Sequence, residues 1–85
     1  MTINPFAVMQ EEFDHTGIVF NPDNNRVLTL NKSGVVLWKA FEKGLTAEQA
    51  AQELVEVFDV NADTALEDTR KFVGILCSKG LLSME

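Results

Sequence analysis

The stretch "LTLNKSGVVLW", Leu28 to Trp38, joins a strand-like run to a helix-like run with almost nothing between them. That junction constrains the fold more than any other feature, because a strand must lie directly against the start of a helix. Asn31 stands at the switch, where its side chain can accept a hydrogen bond from a free N–H of the first helical turn. Gly34 falls inside that turn, and an exposed glycine there costs roughly 1 kcal/mol relative to alanine. Gly34, Leu37, Trp38 and Phe41 recur at i, i+3, i+4 and i+7, forming one stripe. Gly34 therefore belongs to the buried face, and its missing side chain is expected to let another backbone approach closely.

The residues before this junction read as β. "FAVMQEEF", Phe6 to Phe13, is expected to form a first strand, and "GIVF", Gly17 to Phe20, a second rich in β-branched and aromatic residues. "NPDNN" supplies turn residues, with Asn24 or Asn25 suited to a left-handed conformation. "RVLTL", Arg26 to Leu30, completes a hairpin. Within it Leu28 and Leu30 share one face, and Val27 and Thr29 the other.

The residues after it read as three helices. The first ends at Gly44, a left-handed cap. The second opens on a capping box, Thr46 with Gln49, and runs to about Phe58 with Ala47, Ala50, Ala51, Leu54 and Phe58 inward. Asn61 caps the third, which runs to about Lys79. Its core stripe is Ala62, Ala65, Leu66, Thr69, Phe72, Val73 and Leu76, and Leu81 and Leu82 pack the tail beyond Gly80. Strands followed by three helices with short turns is the order of an α+β, winged-helix-like domain. The expected fold is a three-stranded antiparallel sheet followed by three helices, with residues 1–85 expected to form a single domain.

Composition narrows the function. The 85 residues carry a formal net charge of -6, which works against polyanionic partners such as nucleic acid or an anionic membrane. No apolar run approaches the roughly 20 residues of a membrane span, and the N-terminus lacks a signal-peptide pattern. Cys77 is the only cysteine, so oxidative folding is not implied, and it reads as a small packing residue. The cytoplasm is the expected location. "EEFDH" gathers Glu11, Glu12, Asp14 and His15, but one histidine beside carboxylates is a poor metal site. Neither phosphate-binding glycine motif is present, and Cys77 has no paired base. The chain is expected to have no catalytic activity, no cofactor and no metal.

Taken together, "IVFNPDNNRVLTLNKSGVVLWKAFEKGLTAEQAAQELVEVFDV" and "ALEDTRKFVGILCSKGLL" resemble the pyrroloquinoline quinone biosynthesis protein D (PqqD) family, whose members are also called RiPP recognition elements. The resemblance covers about residues 15–82 and rests on the order and spacing of motifs that are each only moderately specific. It implies a domain that binds the leader segment of a precursor peptide as an added strand on its third strand, in a groove shared with its third helix. The bound leader is presented to a separate modifying enzyme, a radical S-adenosylmethionine enzyme or a leader peptidase. Asp68 matches the family's third-helix aspartate, and Phe72 its phenylalanine. Thr69 and Gly74 stand where bulkier residues are usual.

The residues support such a site physically. An edge strand offers unpaired N–H and C=O groups that an extended peptide can satisfy. The candidate edge is Arg26, Val27, Leu28, Thr29 and Leu30. The candidate wall is one flank of the third helix, with Thr64, Asp68, Lys71, Phe72 and Ile75 at i, i+4, i+7, i+8 and i+11. Plainer readings stand beside these: Asp68 as a solvated charge or a partner of Lys71, Phe72 as core, Arg26 as a charge that guards the edge. The competing functions are a winged-helix DNA-binding regulator and a generic interaction module. The second helix has Glu48, Glu53 and Glu56, with Asp59 just beyond, and no lysine or arginine, so a DNA reader's basic patch is missing. A monomer or weak dimer is expected.

Overall fold

The computed structural model describes residues 2–83. In chain order the elements are β1 (Thr2–Ile3), β2 (Val8–Glu11), β3 (Gly17–Asn21), β4 (Arg26–Leu30), α1 (Lys32–Glu42), α2 (Ala47–Phe58), α3 (Ala62–Ser78) and β5 (Leu82–Ser83). β2, β3 and β4 form an antiparallel sheet in that order, which leaves β4 at one edge. Its register sets Gly17 opposite Leu30 and Val19 opposite Leu28 on one side, and Val8 opposite Phe20 on the other. β1 and β5 form a separate two-stranded ribbon, with Ile3 opposite Leu82. Among the described residues no helix is long and apolar enough to cross a membrane.

Each helix begins where a short polar side chain takes over a backbone hydrogen bond. Asn31 Oδ1 accepts from Gly34 N at 2.8 Å, and Asn61 Oδ1 from Thr64 N at 2.8 Å. Thr46 and Gln49 form the reciprocal box, with bonds of 3.2 and 2.9 Å. Gly34 is buried, but the neighbour that needs its missing side chain is not another backbone. A Cβ there would lie 3.2 Å from Leu30 Cβ and 3.3 Å from Asn31 Oδ1. The abrupt strand-to-helix junction folds Leu30 back over the first turn, and the glycine leaves room for that side chain and for the cap.

One hydrophobic core lies where the three helices meet the inner sheet face. Trp38, Leu30, Leu76, Leu81 and Val19 are its largest fully buried apolar side chains. Thr69 is equally buried, and its hydroxyl donates to Ala65 O at 2.7 Å, so a threonine sits on the core stripe without an unsatisfied group. Trp38 Nε1 is buried without a hydrogen-bond partner among the described residues.

Two expectations change, and one feature is new. The first strand of the sheet covers only Val8–Glu11, and Phe6 and Phe13 are exposed. The chain leaves β2 at Glu12 and turns through His15, whose φ of 69° closes a bulged turn. Ala62 is exposed rather than part of the core stripe, because it starts the helix before the chain has reached the core. The β1–β5 ribbon has no counterpart in the sequence reading, since two-residue strands from opposite ends of the chain carry no periodic signal.

Asn21 ties the sheet to α3. Its side chain is buried, donating from Nδ2 to Lys79 O at 3.0 Å and accepting at Oδ1 from Asp23 N at 2.9 Å. The turn leading to β4 is thereby anchored to the C-terminal end of α3. This anchor helps set the space between strand and helix.

Candidate functional site

The hydrogen-bond alternation of the sheet decides which backbone groups of β4 are open. Glu12 N donates to Thr16 O at 2.7 Å, so Glu12 and Thr16 form a bonded pair. In an antiparallel ladder bonded pairs recur every second residue. Thr16, Ile18 and Phe20 therefore direct their peptide groups at β2, and Gly17, Val19 and Asn21 direct theirs at β4. Across the register, Arg26, Leu28 and Leu30 complete the β3–β4 ladder. Val27 and Thr29 are left with N–H and C=O pointing away from the sheet.

Beside this edge lies a groove of about 510 Å³. Leu28, Thr29 and Leu30 form one wall, and Phe72 and Ile75 of α3 form the other. Thr16 and Asn31 close one end. The lining is mostly apolar, with hydroxyl and amide groups at the rim. Ile75 is 46% exposed although the surrounding lining is apolar, and Phe72 is half-buried against the core. Thr16 is held in place by Asp14, whose Oδ1 accepts from Thr16 Oγ1 at 2.6 Å and from Thr16 N at 3.1 Å. These bonds, the hydroxyl first, hold the Asp14 carboxyl below its ordinary value of 3.8.

Of the ten residues expected from sequence, the structure brings Leu28, Thr29, Leu30, Phe72 and Ile75 into the groove. Val27 is on the opposite face of the sheet, so only its backbone serves the edge. Arg26 lies at the turn end of β4, where its N–H donates to Asn24 Oδ1 at 3.0 Å. Asp68 is exposed, one turn before Phe72 on the same flank, and has no ion pair or hydrogen bond among the described residues. Thr64 is exposed one turn earlier. Lys71 is a correction: it pairs with Glu67 at 3.1 Å and lines a separate hollow on the outer side of α3 with Asp63, Leu66 and Arg70. Its helical angle carries it past the groove flank toward solvent, and its ammonium lies against Glu67 rather than Asp68.

Two groove residues escaped the sequence reading. Asn31 was assigned only its capping role, although it follows β4 directly. Thr16 reaches the groove because the register sets Gly17 opposite Leu30, and no local pattern announces that.

The sequence profile of "Coenzyme PQQ synthesis protein D (PqqD)" matches residues 16–82. The chain belongs to the PqqD family. The matched span starts at Thr16 and ends at Leu82, so it holds every groove residue and leaves β1 and β2 outside. Two solved structures share the PqqD-family fold of this chain. TbiB1 in complex with the TbiA(beta) leader peptide superposes with a TM-score of 0.88 at 22% identity, covering 100% of this chain and 98% of that one. Lasso peptide synthetase B1 complexed with the leader peptide superposes with a TM-score of 0.79 at 18% identity, covering 93% and 92%. Comparison with curated proteins finds no match.

Proposed function

We propose that this protein is a non-catalytic carrier that binds the leader segment of a precursor peptide and presents it to a separate modifying enzyme. The observation that carries the reading is the open edge of β4 set beside an apolar groove walled by α3. Two structures of the same fold are complexes with leader peptides, and family membership supports the same role.

The geometry accounts for how such binding works. An extended peptide laid along β4 exchanges hydrogen bonds with Val27 and Thr29, which supplies affinity without reading sequence. Its side chains alternate between faces. Those opposite Leu28 and Leu30 enter the groove against Phe72 and Ile75, so the leader carries apolar residues two positions apart. Asp68, exposed at the groove flank and without a partner among the described residues, takes a basic side chain or backbone N–H of the leader. Amides, hydroxyls and hydrocarbon at the site hold a peptide in place.

The modifying enzyme is a radical S-adenosylmethionine enzyme or a leader peptidase, acting in the cytoplasm on the complex of a carrier that is a monomer or weak dimer. Residues 1–85 act as one domain. Amide shift mapping during titration with the leader peptide tests the reading. Changes should concentrate on residues 26–31 and 68–75. Changes centred on α2 would overturn it.

A further inference from the structure

The face of the sheet turned away from the helices carries Val8, Gln10, Ile18, Phe20, Val27 and Thr29, and none of these is charged. The register places Val8, Phe20 and Val27 side by side in one row across all three strands. Val8 is 61% exposed, Val27 57%, Ile18 39% and Phe20 38%. In a chain in which 24% of residues are charged, these six strand positions carry none. A solvated face alternates apolar-in with polar-out, and here four of the six outward positions are apolar.

We propose that this outer face is the surface on which the peptide-modifying enzyme docks, through an apolar, uncharged patch of its own. The inference rests on the reading of β4 as the peptide-binding edge. Val27 belongs to both surfaces: its peptide groups face the incoming strand, and its side chain ends the apolar row. A leader residue opposite Val27 directs its side chain to the same outer face. The bound peptide therefore lengthens the row by one position, and the enzyme meets carrier and peptide as one continuous surface. A second copy of this chain fits less well. Stable pairs use about 20–30 residues on each side, whereas this face offers six. The enzyme gains the missing area from the peptide it must grip in any case.

The probes are a precursor peptide whose leader binds the wild-type protein and the enzyme that modifies that precursor. The double variant Val8→Thr, Phe20→Thr keeps strand-forming residues and leaves β4 untouched. It should bind the isolated leader within about twofold of wild type, while precursor conversion at limiting carrier falls at least tenfold. Val8→Lys, on the strand farthest from β4, should act in the same direction and guards against misfolding of the double variant. Unchanged conversion by both variants with intact leader binding would overturn the proposal. So would sedimentation showing a wild-type dimer that the variants dissolve, since the face would then join two copies. If Thr29→Pro leaves leader binding intact, it is the β4 reading that fails, and the two failures are told apart.

Discussion

The two edges of the sheet differ in how they are guarded. At the β2 edge, Glu11 accepts from Lys39 of α1 and contacts His15 Nδ1 at 3.2 Å. Charge and a bulged turn blunt that edge in the way natural sheets discourage added strands. At the β4 edge, Val27 and Thr29 carry no charge, and the neighbouring groove is lined mostly by hydrocarbon. The same backbone chemistry is thus discouraged on one side and offered on the other. Edge position alone does not make a peptide site. What sets the β4 edge apart is the mostly apolar groove and the helix wall alongside it.

The largest expected effect comes from removing one open amide on each side. Thr29→Pro deletes an N–H that serves no bond to β3, a position where an edge strand tolerates proline. Leader affinity should fall at least tenfold, about 1.4 kcal/mol, in calorimetric titration. Met9→Pro removes the equivalent outward amide of β2 and should leave affinity unchanged. Equal losses from the two variants would erase the contrast between the edges.

A smaller effect separates the carboxylates near each edge. Asp68→Ala should weaken leader binding by about 1.5–3 kcal/mol, the range of a hydrogen bond to a charged group. Its unfolding midpoint should stay within about 0.5 kcal/mol of wild type, as for an exposed substitution. Glu11→Gln should leave leader binding unaltered. If Asp68→Ala binds normally, Asp68 is a solvated charge.

Amide hydrogen exchange sharpens the contrast without mutation. In the free protein Val27 and Thr29 should exchange faster than Leu28 and Leu30, because only the latter amides are bonded to β3. Leader binding should slow Val27 and Thr29 and leave Met9 and Glu11 as they were. The inverse pattern would mean that the alternation runs the other way.

The smallest effect is a dependence on acid. The bond from Lys39, then that from His15, holds Glu11 below its ordinary value of 4.5. A depressed carboxyl contributes stability above the unfolded value, and this is lost as pH falls through the folded one. The denaturant midpoint should therefore decline slightly below about pH 4.5, and Glu11→Gln should flatten the first part of that decline. Asp14 adds its own loss below 3.8, which Glu11→Gln leaves in place.

The sequence alone determined the elements whose causes are local. Asn31, Thr46 with Gln49, and Asn61 cap helices within three residues of themselves, and the stripe of Gly34, Leu37, Trp38 and Phe41 records its burial in its own spacing. The strand Arg26–Leu30 and the helix flank bearing Phe72 and Ile75 were legible for the same reason, helped by motif order along the chain. Only the tertiary structure decided how these parts meet. Thr16 joins the groove through the strand register. Lys71 leaves it through a few tens of degrees of helical angle and a pairing with Glu67. Asn21 reaches Lys79 across 58 positions of sequence. Ile3 meets Leu82 from the opposite end of the chain. Periodicity reports which face of an element is apolar. It does not report which neighbour covers that face, or which alternate amides a ladder leaves open, because those depend on contacts between residues far apart in the chain.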